Sequence, residues 1–291
     1  MKLTLKFNLI FIVIFGLGLL ATGLIANGFL QGTARDRVVE QARLAMETAV
    51  STRSYTADRV RPILEKSQKG NDVFYPESVP AFAAIRMLGY LRQSLPDYSY
   101  REATLNPTNP ADRAVDWEAD IINLFRNDAS KADFIGERES PTGRVMYLAR
   151  PMRAKGSCMQ CHSTPDAAPA AMVRIYGRDN GFGWKMDDVV AAQIVSVPMS
   201  VPMALASKAL WKLMAWLAGV SVVSLILLNV LLVFTVIRPV RRLSAAANLI
   251  STGNMDVPEL PVHGKDEISV LADSFNRMHR SLTRAMKMLE E

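Results

Sequence analysis

Cysteine and histidine are scarce in this chain, with two and three copies among 291 residues. Two Cys are too few for a four-thiolate metal site. There is no internal repeat and no low-complexity tract. There is also no basic run interleaved with aromatics, so the net charge of +6 gives no case for binding nucleic acid. Charge itself is absent from two long blocks: FNLIFIVIFGLGLLATGLIANGFL from Phe7 to Leu30, and LMAWLAGVSVVSLILLNVLLVFTVI from Leu213 to Ile237.

Each block matches the ~20 apolar residues that cross the hydrocarbon core of a bilayer. Lys2 and Lys6 precede the first. A cleaved signal peptide competes there, because Ala21 and Gly23 are small, but signal h-regions run only to about 7–15 residues. Trp211 and Trp216 open the second block, and Arg238, Arg241 and Arg242 crowd its end. The positive-inside rule then places both flanks in the cytoplasm and the intervening segment outside. The predicted layout is a cytoplasmic N-terminus over 1–6, transmembrane helices over 7–30 and 210–237, a periplasmic domain over 31–209, and a cytoplasmic tail over 238–291.

Within the outer segment, Val38, Val39, Ala42, Leu44, Ala45, Ala49 and Val50 recur at helical spacing, predicting a helix that leaves the membrane and ends near Pro62. Residues 70–110 are rich in Pro and aromatics, with a short helix through AFAAIRMLGYLRQSL, and Trp117 to Phe125 has another helical period. From Phe134 the runs GRVMYLARPM, AAMVRIYG and VVAAQIVSVPM are rich in Val, Ile and Tyr and bounded by turn residues, which favours antiparallel strands. Helices first and strands later predict an α+β domain.

Cys158-Met159-Gln160-Cys161-His162 forms C-x-x-C-H, the attachment motif of a c-type haem. Two thiols at that spacing add to the two vinyl groups on one porphyrin edge, and the adjacent imidazole is held beneath the iron as an axial ligand. Chance placement of so few Cys and His gives this pattern on the order of once in ten thousand chains. A structural zinc site is the first rival, but it needs four ligands, and His263 and His279 fall beyond the second apolar block. A thioredoxin-like dithiol is the second, but that motif opens a helix within a βαβ unit, whereas STPDAAPA follows here.

His162 is the only histidine in the outer segment, so the sixth iron position falls to Met, Tyr, another weak donor, water or nothing. Nine methionines lie there, mostly as adaptable packing. Met46, on the long helix, is the candidate ligand. Arg53 and Arg153 are candidates to pair with haem propionates.

In the tail, Ile268, Leu271, Phe275, Met278 and Leu282 follow the spacing of a coiled-coil seam, and Leu243, Ala247 and Ile250 supply a partner helix. With Pro239 just after the membrane, Gly253 after the first helix and Asp266-Glu267-Ile268 opening the second, the tail resembles a HAMP domain. That resemblance implies a parallel homodimer relaying conformational change from a membrane helix. The outer segment resembles the Tll0287-like haem proteins through RSYTADRVRPIL, SVPAFAAIRML, EATLNPTNPADRAVDWEAD, YLARPM, CMQCHSTPDAAPA and YGRDNGFGWK. It implies a PAS-like fold around the haem. The distal ligand varies in that family, and no further Cys is present here to serve as one.

Two functions follow as expectations. The first is a membrane-bound haem sensor, relaying redox state or gas binding to a HAMP dimer and, since the sequence stops at Glu291 without an output segment, onward to a separate cytoplasmic partner. The second is a membrane-anchored c-type electron carrier with a redox partner. No convincing acid–base pair points to an enzyme.

Overall fold

The computed structural model describes residues 3–68, 73–141, 143–262 and 264–290, so His263 lies outside the described residues. The chain divides into two units, residues 28–208 and, separately, residues 1–27 with 209–291.

Helix α1, Leu3–Tyr55, spans both units and runs on through a π-helical turn, Thr56–Val60, into α2, Arg61–Gln68. The helical path therefore passes Pro62 rather than ending there. Proline offers no N–H and its ring presses on the carbonyl four residues back. The π turn shifts the bonding by one residue, and the Arg61 N–H reaches Thr56 O. The same device recurs at Pro239, where the turn Val233–Ile237 precedes Arg238 and the Arg238 N–H reaches Val233 O.

In the first unit, four strands form one antiparallel sheet of order β1-β4-β3-β2: β1 Ser99–Thr104, β2 Phe134–Ser140, β3 Gly143–Arg153 and β4 Val189–Pro198. The unit is α+β, as the sequence predicts. Helices first and strands later is too simple, because β1 comes between α3, Pro80–Ser94, and α4, Asp116–Asn127. The two strands the sequence does not reveal, SYREAT and FIGERES, are the sheet's edges. Edge strands carry charge that blunts their pairing and dilutes the apolar alternation. The run AAMVRIYG is not a strand but the core of α6, Ala170–Tyr176, following α5, Gly156–His162. Pro169 before it and two Ala at its start favour a helix, and Gly177 at φ 82 ends it.

One sheet face is laid out in rows. Tyr100, Val195 and Leu148 stand level across β1, β4 and β3; then Glu102, Gln193 and Arg150; then Thr104, Ala191 and Met152. The apolar rows pack on Val38, Ala42, Met46 and Ala49 of α1 and on Ala84 and Leu88 of α3. Leu44, expected in that stripe, is 71% exposed, since it lies off the phase the other four share. The opposite face buries Ala103, Ala149, Ala192 and Ile194 under Ile121, Ile122 and Phe125 of α4.

In the second unit, α7, Ser200–Leu232, runs through its π turn into α8, Arg238–Ser251. Two helices are long and apolar enough to cross a membrane, one in each apolar block, and their large side chains are uncovered, Ile25 by 74% and Trp216 by 77%. They pair antiparallel, with Met214 against Gly23 and Asn229 Nδ2 donating to Asn8 Oδ1 at 2.6 Å.

Helix α9, Glu267–Glu290, packs on α8 through Ala246, Ile250 and Phe275. Asn276 holds the connector through both backbone polar groups of one residue, donating to Leu260 O at 2.8 Å and accepting from Leu260 N at 2.9 Å. Of the predicted seam, Phe275 is buried and Ile268 half-buried, while Leu271, Met278 and Leu282 are exposed; Ala272 and His279 are buried instead. The contact within one chain thus uses only part of the seam.

Candidate functional site

The end of β3 is tied to the approach to β4 by Ala154 N to Asp188 O at 2.9 Å and Asp187 N to Ala154 O at 3.0 Å. Helix α5 starts immediately afterwards. One helical turn brings residues three and four apart together, so Cys158, Cys161 and His162 all line a single cavity of about 1010 Å³. Its size is at the upper end of small-molecule and cofactor sites. Both cysteines are free. Burial, before the smaller effects of Arg61, Glu65 and Cys158, raises the Cys161 thiol above its ordinary value, so a reactive thiolate is disfavoured. Among the described residues, no group of three His, Cys, Asp or Glu side chains is placed to hold a metal ion.

His162 is held on three sides. Its Nδ1 lies 2.7 Å from Gly181 O and 3.4 Å from Thr108 Oγ1, and its ring stacks on Trp184 at 4.0 Å between centroids and 11° between planes. A carbonyl oxygen only accepts, so Nδ1 carries the proton and Nε2 keeps its lone pair. Among the described residues Nε2 has no hydrogen-bond partner. Burial holds the imidazole below its ordinary pKa, against the opposing effect of the Gly181 bond, which keeps it neutral and able to ligate.

Two loops build this support. Asn106 accepts from Gly181 N at 3.1 Å and donates to Phe182 O at 3.3 Å, docking the GFGWK loop onto LNPTN. Gly181 has φ +84, and a Cβ there would stand 2.0 Å from Thr108 Oγ1 and 2.8 Å from Thr108 Cα. Only glycine fits both the backbone angle and the close approach.

Another cavity wall is polar. Tyr100 donates to Glu102 Oε1 at 2.7 Å, Gln193 donates to the Tyr100 hydroxyl at 2.8 Å, and Arg53 pairs with Glu102 Oε2. Burial and then Glu102 hold the Tyr100 hydroxyl far above its usual range. Asp112, also on the cavity, is raised by burial and then by Glu102, against Arg101. Arg53 reaches further, donating through Nη2 to Met152 Sδ at 3.3 Å. On α2, Arg61 donates to Gln160 Oε1 at 2.9 Å, tying that helix to the C-x-x-C-H turn.

The structure thus brings Cys158, Cys161, His162, Arg53 and Arg153 to one cavity. Arg153 directs its guanidinium to the carbonyls of Asp187 and Ala129, at 3.3 and 3.2 Å. Met46 is not among the lining residues: it is fully buried in the core between α1 and the sheet, because its helical phase matches Val38, Ala42 and Ala49. The methionines that line the cavity are Met152 and Met172. Gly181, Thr108, Asn106, Trp184, Glu102 and Gln193 escape sequence reasoning. All but Gln193 lie in strings that carry the family resemblance, but those strings name no partner for any of them.

A family model described as Tll0287-like matches residues 31–198, and the HAMP domain model matches residues 231–284. Among solved structures, the crystal structure of the cyanobacterial heme-protein Tll0287 is similar, with 16% identity, a TM-score of 0.43, and coverage of 55% of this chain and 94% of that one. None of the curated proteins matches. With the family model spanning more than half its length, the chain belongs to the Tll0287-like family and carries a HAMP domain after its second long apolar helix.

Proposed function

We propose that the chain is a membrane-bound signalling protein whose input is one covalent c-type haem on Cys158 and Cys161, with His162 as axial ligand. The orientation of His162 carries the reading. A carbonyl on Nδ1, an aromatic face against the ring and an unpartnered Nε2 together make the support expected of a metal-ligating imidazole. The group would supply one-electron redox chemistry and, with an open coordination site, capture of small gas ligands. The protein's own residues orient the ligand, keep it neutral and hold water away from it with Trp184.

Haem domain outside and HAMP domain in the cytoplasm is the proposed topology, following the basic residues Lys6, Arg238, Arg241 and Arg242. A parallel homodimer is the proposed assembly: Leu271, Met278 and Leu282 stay uncovered within one chain and fall at the spacing a second copy would bury. The output then passes to a separate cytoplasmic partner. No catalytic role is proposed, because Glu102, the most buried acid on the cavity, is already engaged by Arg53 and Tyr100.

Denaturing electrophoresis with haem staining tests the attachment, and replacing both Cys by Ser should abolish the stain. Optical titration of the purified protein with and without CO or NO tests the input. A haem that binds neither gas, leaves the HAMP helices unchanged on reduction and exchanges electrons rapidly with a soluble cytochrome would favour the electron-carrier reading.

A further inference from the structure

The cavity's sulfur donors come from two parts of the chain. Met172 sits on α6, in the segment that follows the C-x-x-C-H turn and also supplies Gly181 and Trp184. Met152 instead stands on the sheet, level with Ala191 and Thr104, in the row next to Glu102 and Gln193. Its sulfur is the one that a group on α1 reaches, Arg53 Nη2 at 3.3 Å. Met152 is thus carried by an element separate from the segment that holds the imidazole, and Met172 is not. His162 is the sole histidine of residues 31–209, and a methionine thioether is the axial partner that histidine takes in cytochromes c.

We propose that Met152 Sδ is the sixth iron ligand, with Arg53 as the residue that positions and tunes it. The proposal rests on the haem reading above. A thioether sulfur has two lone pairs. One accepts from Arg53, and the other is left for the iron. The guanidinium is itself fixed by the buried carboxylate of Glu102, which stands in the neighbouring row of the sheet. A cation against the sulfur withdraws electron density and weakens its donation to ferric iron, while soft thioether ligation favours the ferrous state and raises the potential. Gain or loss of the iron bond therefore changes how strongly the Met152 sulfur accepts from Arg53. That residue lies in the last turn of α1, immediately before the π turn Thr56–Val60.

The test uses the full-length haem-loaded protein in detergent. The ferric wild type should show the long-wavelength charge-transfer band of methionine-ligated haem. Met152→Leu should abolish the band, convert ferric iron to high spin and lower the reduction potential. Met152→His should restore a low-spin spectrum, now of the two-imidazole type. Met172→Leu should leave the band in place, and Arg53→Gln should shift the potential with the band retained. The proposal is overturned if wild type lacks the band while retaining covalent haem, if the band survives Met152→Leu, or if Met172→Leu removes it. Haem staining on a denaturing gel separates these outcomes from failure of the haem reading, in which wild type would carry no stain at all.

Discussion

Replacing Gly181 by Ala attacks the His162 support without touching any proposed iron ligand or thioether. Two effects add. Left-handed backbone costs an ordinary residue about 1–2 kcal/mol, and overpacking a close contact costs about 1–3 kcal/mol. A methyl 2.0 Å from Thr108 Oγ1 and 2.8 Å from its Cα cannot be relieved by rotating a side chain, because the second atom is backbone. Together they destabilise this part of the fold by about 3 kcal/mol and push the Gly181 carbonyl off Nδ1. Gly183 is the internal control: it has φ +79 but nothing within 4 Å of an added Cβ, so Gly183→Ala should cost only about 1–2 kcal/mol. Thr108→Ala in the Gly181→Ala background removes the nearest atom but not the Cα, so it should restore part of the loss and show coupling in a double-mutant cycle. Urea denaturation supplies the energies, and the iron–histidine stretch in the Raman spectrum of the reduced protein, read in a Met152→Leu background that leaves the iron five-coordinate, reports the imidazole. Equal costs for Gly181→Ala and Gly183→Ala, or an unchanged iron–histidine stretch in Gly181→Ala, would refute the reasoning.

Glu102→Gln leaves Arg53 without its charged partner and should cost about 3 kcal/mol in urea unfolding, the low end for a buried pair because the Arg53 side chain is 24% exposed. Haem-free protein carrying Cys158→Ser and Cys161→Ser should lose stability as pH falls below about 6.5, the unfolded imidazole value. The folded state holds His162 lower, so the unfolded state takes up the proton first. Adding His162→Gln should flatten that stretch of the pH profile, and an unchanged slope would mean the His162 environment is misassigned. Asn276→Ala strands both polar atoms of Leu260, costing about 1–3 kcal/mol, and should accelerate hydrogen exchange across residues 252–266 while leaving the 31–198 region unaffected.

Cys158, Cys161 and His162 were legible in the sequence because their geometry is local: residues three and four positions apart share a face on any helix, whatever surrounds it. The apolar blocks and the tail's heptads are legible for the same reason, since bilayer thickness and helical period act on contiguous residues. Periodicity misleads where the competing forces are non-local. Edge strands β1 and β2 hide because charged residues interrupt their apolar alternation, and the buried one, Glu102 of β1, is tolerated only through its pairing with Arg53. AAMVRIYG has the Val, Ile and Tyr content of a strand but joins no ladder, and Pro169 and Gly177 bound it as a helix instead.

Met46 and Met152 show the same boundary at the site. Spacing places Met46 on the long helix, but only the packing of α1 on the sheet turns it into the core and leaves Arg53, two turns on, to reach the cavity. Met152 becomes a candidate ligand because β3 pairs with β4 in a register that sets it beside Ala191, where α1 delivers Arg53. His162 is named by its neighbours in sequence. Its tautomer is set by Gly181, 19 residues later, with Thr108, 54 residues earlier, against the same nitrogen. Motif chemistry travels with the chain, whereas the direction of a lone pair depends on contacts that exist only after folding.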